Sequence, residues 1–385
     1  MARLTARVRL LLASVSCVVG MGCATPTATD ASSTPTRWEI TAATSVDDGA
    51  SYWPAAQWRT ALPRQVGMDS AALATLSHDV RLRRWSTLRS LLVVRHGYLA
   101  FNEYVAGVEP ESLQKIQEVT TTATGLLVGM AIDRGKFRLD DGIALFFPEY
   151  ANLLTFGPKS GIRVDDFLTM RSELDFYDEP YDGSPLQELN THSGDWLRLI
   201  FSHGTHTSGA GPWRFNSGGI IALGGVLRAV LGEPADSFAR RTLFQPLGID
   251  RTSWFIGAPN GLPHMAAGLS LTSPDMARIG YLLLRDGRWN GAQIVSTDWI
   301  ARMRERRSQN LGKWLTYPVE YGRTLWILPP VAGADVVAAS GVYGQWIFVV
   351  PGKDLVVVAT SNARNVGDFA LPIQLLYDVI IPAAR

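Results

Sequence analysis

Short apolar runs near both ends of the chain have the pattern of β-strands. Leu91–Val94 and Tyr98–Phe101 flank a brief polar turn, which is the signature of a β-hairpin. Near the other end, Trp346–Val350 and Leu355–Thr360 are separated by four residues that begin with Pro-Gly. The pattern therefore predicts one sheet to which both ends of the chain contribute antiparallel strands.

Longer segments between these strands have the pattern of helices. Asp69 is predicted to be the N-cap of a helix that continues to about Arg83. Val119–Arg134 is a proline-free run of small and apolar residues that is long enough for a buried helix. Ser273, which is followed by Pro and Asp, is predicted to be the N-cap of a further helix.

The order of these elements predicts an α+β fold. Residues of about 140–300 have mostly helical patterns, and a last helix is expected over about 368–380. Early strands, a helical middle and late strands imply an antiparallel sheet flanked by helices. The middle, at about 140–300, would then be an inserted helical subdomain.

Composition and charge exclude several classes of protein. The 385 residues are 46% hydrophobic and 18% charged, which is too apolar for a disordered chain. Lys and Arg number 36, Asp and Glu number 35, and the basic residues form no long stripe. Binding to nucleic acid is therefore not expected.

The N-terminal segment has the composition of an export signal. Arg3, Arg7 and Arg9 precede an apolar run from Leu10 to Gly22, which is shorter than the roughly 17 to 25 residues of a membrane-spanning helix. Cys23 follows this run and predicts lipidation of the bacterial lipoprotein type, with plain secretion as the alternative.

These features predict three parts. Residues 1–22 would be a signal peptide, residues 23–57 a flexible tether, and residues 58–385 the folded domain. The expected location is outside the cytoplasm, in the cell envelope, with a lipid anchor as the only attachment to a bacterial membrane.

The two cysteines and the histidines restrict the chemistry of the folded domain. Cys17 and Cys23 are the only cysteines, so the domain has no disulfide, thiolate metal site or Cys nucleophile. His203 and His206 have the spacing of a metal-ligand pair, but their segment is rich in Gly, Ser and Thr and is interpreted as a surface loop. No metal and no cofactor is predicted.

Eight segments resemble the serine β-lactamase-related hydrolases, which include class C β-lactamases, D-Ala-D-Ala peptidases and 6-aminohexanoate-dimer hydrolase-like enzymes. The resemblance implies a β-lactamase/transpeptidase-like fold and acyl transfer from an amide or ester. The segments span nearly the whole predicted domain in order: Leu91–Tyr104, Leu126–Asp141, Phe167–Leu174, Trp213–Gly232, Leu243–Ile249, Ala267–Gly291, Tyr321–Trp326 and Ala338–Thr360.

The resemblance also implies where the catalytic groups would lie. In such enzymes a Ser and a Lys one turn apart open a buried helix, a Tyr helps to move the proton, and two backbone N–H groups bind the oxyanion. With the helix aligned through Leu126–Asp133, the family's Ser falls on Glu118 and its Lys on Thr121. In the second motif, Phe215 replaces the Tyr. All three proton-handling residues are therefore substituted.

The third motif is intact, as Ala339-Ser340-Gly341 followed by Val342-Tyr343-Gly344-Gln345. The scaffold of the cleft is thus expected to remain although the catalytic residues have changed. The residues that the resemblance assigns to the cleft and to ligand binding are Asn216, Ser217, Ser340, Gly341, Val342 and Gln345.

The leading hypothesis is an exported, catalytically inactive homologue that binds a peptide, an amide, a cell-wall fragment or an envelope protein partner. One alternative is an active amide or ester hydrolase that uses the displaced pair Ser112/Lys115, the nearby Ser-x-x-Lys sequence. A second is catalysis by Glu118 itself. A third is a purely structural envelope protein with a collapsed cleft.

Overall fold

A seven-stranded antiparallel sheet forms the centre of the fold. The strands are β1 (Leu88–Arg95), β2 (Tyr98–Tyr104), β3 (Glu320–Tyr321), β4 (Trp326–Val331), β5 (Ala334–Gly341), β6 (Gln345–Val350) and β7 (Leu355–Ser361). They lie in the order β3-β4-β5-β6-β7-β1-β2, so both ends of the domain contribute to one sheet. This arrangement confirms the predicted α+β class.

The structure is a computed structural model that describes residues 53–54, 57–105, 107–205, 211–257 and 261–385. The predicted signal peptide, Cys17, Cys23 and His206 lie outside the described residues, as does most of the predicted tether. The boundaries at residues 22 and 57 and the lipidation of Cys23 therefore stay predictions.

Helices cover the sheet and fill the middle of the chain. The longer ones are α1 (Ser70–Arg81), α2 (Val119–Asp133), α3 (Ser217–Leu231), α4 (Ser273–Leu284) and α5 (Val366–Leu375). Between α2 and α4, apart from α3, the described residues form shorter helices and brief strand pairs. The shorter helices there include Val164–Leu168, Pro185–Thr191, Trp196–Ser202 and Ala235–Ala239, and Thr297–Arg304 follows α4.

The caps of two helices test the sequence predictions directly. Asp69 caps α1 as predicted, because its carboxylate accepts hydrogen bonds from two backbone N–H groups of the first turn. The predicted Ser273 cap of α4 is wrong by one residue. Thr272 is the N-cap and accepts the Asp275 N–H at 3.2 Å, whereas the Ser273 hydroxyl lies in the core, 2.7 Å from that of Ser90.

Helices pack on both faces of the sheet. Trp346 and Ile347 are neighbours on β6, so their side chains point to opposite faces. A Cβ atom on Gly280 of α4 would lie 2.7 Å from the Ile347 side chain, and the Trp346 indole N–H donates to the Phe369 carbonyl of α5 at 3.1 Å. The sheet is therefore the middle layer between α4 and α5.

Helix α2 also packs against the sheet and is almost entirely buried. Every residue from Val119 to Ala131 is buried. A Cβ atom on Gly129 would lie 2.1 Å from the Trp299 ring, and the Trp299 indole N–H donates to the Gly125 carbonyl at 3.0 Å. Glycines thus let neighbouring side chains contact the helix backbone, which fixes α2 and the residues at its N-terminus in place.

Within the described part of the chain, Val366–Ala383 is long and apolar enough to cross a membrane, judged by length and composition alone, and 56% of it is buried in the protein. The bent pair Ser217–Leu231 and Ala235–Phe244 meets the same criterion only if both helices are taken as one span, with a bend of 78°. Buried core helices commonly have this composition.

Candidate active site

The candidate site lies where the N-terminus of α2 meets the end of β5. A Cβ atom on Gly341 would lie 2.6 Å from the Ile116 carbonyl oxygen and 2.9 Å from the Glu118 nitrogen, so only glycine allows this approach. Gln117 has a φ of +51°, in the left-handed region, immediately before Glu118. The local backbone therefore brings the start of the helix and the edge of the strand into direct contact.

Glu118 is the N-cap residue of α2 and is half-buried in this contact. The backbone N–H of Val342, just after β5, donates to Glu118 Oε2 at 2.7 Å. Burial raises the pKa of the Glu118 carboxyl, and the backbone N–H groups of Val342 and of Glu118 itself oppose that shift by donating to the carboxylate. The side chain is thus held against two backbone donors.

The threonines of the first turn of α2 all have hydrogen-bond partners in the protein. The Thr121 hydroxyl donates to the Ala266 carbonyl at 3.1 Å, and the Thr122 hydroxyl donates to the Thr324 carbonyl at 2.7 Å. Thr120 accepts the backbone N–H of Leu269 at 3.2 Å. These hydroxyl groups tie α2 to its neighbours, and Thr121 provides no base.

The second motif begins α3. Asn216 is its N-cap: its side-chain oxygen accepts the Gly219 N–H at 2.8 Å, and its amide donates to the Leu174 carbonyl at 3.2 Å. Phe215 is half-buried, with its ring centroid 6.4 Å from that of Trp213. An aromatic wall without a hydroxyl therefore stands where the resemblance would place the Tyr.

An acidic pair that the sequence analysis missed lies beside this motif. Ser217 is buried; its hydroxyl donates to Asp178 Oδ2 at 2.5 Å and its N–H to Asp178 Oδ1 at 3.0 Å. Burial raises the pKa of Asp178 to about 7; the bonds from Ser217 oppose the shift, and the Glu118 and Glu179 charges add to it. Burial and the charge of Glu118 raise the pKa of Glu179 to about 7.

Three carboxyl groups, those of Glu118, Asp178 and Glu179, are therefore coupled electrostatically in one region. Asp178 and Glu179 belong to no motif and lie 60 and 61 residues after Glu118 in the sequence, within the middle of the chain that is predicted to be mostly helical. The only local signal was an acidic pair before a proline, and that signal is typical of loops.

The third motif forms the hairpin between β5 and β6, where Gly341 pairs with Gln345. The Gln345 amide donates to the Ser361 carbonyl at 2.7 Å, which fixes the turn. Ser340 is buried at the end of β5. The roles of Asn216, Ser217, Ser340, Gly341, Val342 and Gln345 as ligand contacts stay predictions.

Ser112 and Lys115 lie outside α2. The Ser112 hydroxyl accepts the Glu109 N–H at 2.9 Å within a loop, and Lys115 is exposed on a two-residue strand that pairs with Ser270. Because this segment is not helical, the three-residue spacing does not place both side chains on one helical face.

Among the described residues, no group of three or more His, Cys, Asp or Glu side chains is arranged to hold a metal ion.

A narrow pocket opens beside the start of α3. Its lining residues are Met170, Ser172, Glu173, Leu174, Arg214 and Asn216.

We predict that Asp178→Asn changes how stability depends on pH. The pKa of Asp178 is raised from 3.8 to about 7, so the folded protein retains a proton that the unfolded chain loses. This contribution to the free energy of unfolding is complete below about pH 4 and is lost as the pH rises through about 7. The free energy of unfolding of Asp178→Asn, relative to that of the wild type, should therefore increase from pH 4 to 8, and urea unfolding at each pH measures this difference.

Ser217→Ala is the matched control, because removal of the hydroxyl donor should raise the Asp178 pKa further and move the loss of stability to higher pH. His264, whose pKa burial lowers to about 4, titrates in every variant and cancels in the differences. If the free energies of unfolding of the wild type and Asp178→Asn changed in parallel with pH, this result would contradict a raised pKa of Asp178.

Comparisons with known proteins identify the family. The Beta-lactamase family model matches residues 89–376, well over half of the chain. The chain is 25% identical over 320 residues to the 6-aminohexanoate-dimer hydrolase of Paenarthrobacter ureafaciens, covering 78% of this chain and 80% of that protein.

Solved structures share the fold at low identity. The structure of EstCE1, a hydrolase with promiscuous acyltransferase activity, matches with a TM-score of 0.64 and 18% identity, covering 80% of this chain and 97% of that chain. A D-stereospecific amidohydrolase from Streptomyces sp. matches with a TM-score of 0.61 and 16% identity, covering 80% and 98%. From the family match and this fold, the chain belongs to the Beta-lactamase family of serine hydrolases.

Proposed function

We propose that this protein is an exported homologue of the serine hydrolases that does not carry out acyl transfer and instead binds an amide or peptide, such as a cell-wall fragment. A protein partner in the envelope is the alternative ligand. The observation that carries the proposal is the Glu118 carboxylate, held 2.7 Å from the Val342 N–H at the N-terminus of α2.

Acyl transfer requires a nucleophile, a base and donors for the oxyanion. Glu118, at the position aligned with the Ser, has a carboxylate that already accepts the Val342 N–H. Thr121, at the position aligned with the Lys, has a hydroxyl that donates to a carbonyl. Phe215, at the position aligned with the Tyr, has no group that can transfer a proton. In serine proteases, loss of one member of the triad lowers turnover by about 10⁴ to 10⁶. Three substitutions should therefore leave no measurable acyl transfer.

The class of ligand follows from the relatives and from the retained cleft. Two of the similar proteins are, by their names, a 6-aminohexanoate-dimer hydrolase and an amidohydrolase. In this chain, the third motif keeps its place as the hairpin between β5 and β6. A retained backbone around the site supports recognition of a small amide without its cleavage.

The purified domain should not hydrolyse p-nitrophenyl acetate, p-nitrophenyl butyrate or a chromogenic cephalosporin above a heat-denatured blank. The physical reason is the absence of a hydroxyl nucleophile with a base at the start of α2. Ser112→Ala serves as the matched variant. Turnover by the wild type that disappears in Ser112→Ala would overturn the proposal in favour of catalysis by Ser112/Lys115. Turnover that survives in Ser112→Ala would overturn the proposal in favour of another nucleophile, and Glu118 would be the next residue to change.

The triple variant Glu118→Ser, Thr121→Lys, Phe215→Tyr is the positive control for the same assay. It restores the three groups at the aligned positions, so it should gain esterase activity above the wild type. A folded triple variant without activity would count against a scaffold that has lost only its catalytic groups.

Binding of a small amide should raise the melting temperature of the wild type. The linear 6-aminohexanoate dimer and D-alanyl-D-alanine are suitable probes, and free 6-aminohexanoate, which lacks the amide, is the control. At a hundredfold excess over the dissociation constant, a bound ligand stabilises the folded state by about 2.7 kcal/mol. If neither probe shifts the melting temperature more than the control, a collapsed cleft becomes the better interpretation.

Export and lipid anchoring through Cys23 are part of the proposal. In a bacterial host, the full chain should incorporate an alkyne-tagged fatty acid and sediment with membranes, and Cys23→Ala should abolish both. Cys17→Ala, which changes the other cysteine of the same segment, should retain both. Unlabelled wild-type protein in the soluble exported fraction would favour plain secretion.

A further inference from the structure

The backbone N–H groups of Glu118 and Val342 face the same carboxylate, which belongs to the protein itself. We call the space between these two donors the oxygen site. We propose that Glu118 is a built-in occupant of the oxygen site, so that the native protein excludes the carbonyl or carboxylate oxygen of any ligand from it. Removal of the side chain then creates an open site for a small carboxylate.

The oxygen site is rigid because its two donors lie on fixed elements. The Glu118 N–H belongs to the turn that starts α2, and every residue of α2 from Val119 to Ala131 is buried. The Val342 N–H follows Gly341, whose absent side chain leaves the strand within van der Waals contact of the Ile116 carbonyl and the Glu118 nitrogen. Neither donor can move away without separating β5 from α2.

Two opposing effects act on the carboxylate. The two N–H donors and the N-terminus of α2 favour the anion. Burial disfavours it, and the neighbouring carboxyls of Asp178 and Glu179 are coupled to the same charge. An external carboxylate would experience the same environment with the Glu118 side chain absent, so a site that holds one carboxylate can hold another of similar size.

This inference rests on the geometry of Glu118 and deepens the proposed function, since it states which part of the cleft a ligand cannot use. Its test measures binding rather than hydrolysis. A failure of the proposed function would appear as turnover by the wild type, whereas a failure of this inference would appear as unchanged binding of a carboxylate.

The experiment compares acetate binding by the wild type, Glu118→Ala and Glu118→Gln, from melting temperatures at constant ionic strength. Glu118→Ala empties the oxygen site. Glu118→Gln is the matched control, because its amide oxygen can still accept the Val342 N–H and fill the same volume. The half-saturating acetate concentration should be at least tenfold lower for Glu118→Ala than for the other two proteins.

Equal responses to acetate in all three proteins would overturn the proposal, as would a response of the wild type as strong as that of Glu118→Ala.

A second measurement needs only the wild type and Glu118→Gln and covers the case of an unfolded alanine variant. The Val342 amide proton should shift as Glu118 ionises, and this shift should be lost in Glu118→Gln. A Val342 resonance that does not change with pH in the wild type would also overturn the proposal.

Discussion

The close approach of β5 to the start of α2 is the contact on which the site depends. Gly341 lies so near Ile116 and Glu118 that any side chain would separate the strand from the helix. The same contact directs the Val342 N–H at the side chain of Glu118, the N-cap of the helix. Helix α2 is held from its other sides by Trp299 and by threonine hydroxyls that donate to carbonyls of buried turns, so buried contacts set the position of its N-terminus.

The N-terminus of α2 lies in an acidic region. A Ser-Lys pair would give the region a positive group, whereas Glu118, Asp178 and Glu179 give it three coupled acids. Protonation reduces the repulsion among these carboxyl groups, because burial raises the pKa of each of them. Hydrogen bonds from Ser217 and Val342 stabilise the ionised forms of Asp178 and Glu118. The site is therefore electrostatically different from a Ser-Lys site while the surrounding backbone is the same kind of scaffold.

The fold explains how Glu118, Thr121 and Phe215 are accommodated. The buried face of α2, the sheet and the helices on both sides provide the stability, and none of them needs the side chains of residues 118, 121 or 215 to be catalytic. The Thr121 hydroxyl reaches a backbone carbonyl, so this position holds no buried unpaired charge. Phe215 adds to an aromatic wall with Trp213. The residues at these positions thus satisfy packing or hydrogen bonding locally.

The sequence by itself determined four of the seven sheet strands, β1, β2, β6 and β7, together with the α2 helix, the Asp69 cap and the family. Periodicity, capping residues and motif order are local or sequential signals. The sequence failed at Ser273, where Thr272 is the cap because the Ser273 hydroxyl has partners in the core. Only the tertiary structure showed that Glu118 accepts the Val342 N–H, across 224 positions of sequence, and that Asp178 binds Ser217. Those contacts join segments that carry no mutual signal, since hydrogen bonds and charge coupling depend on distances that only the folded chain creates.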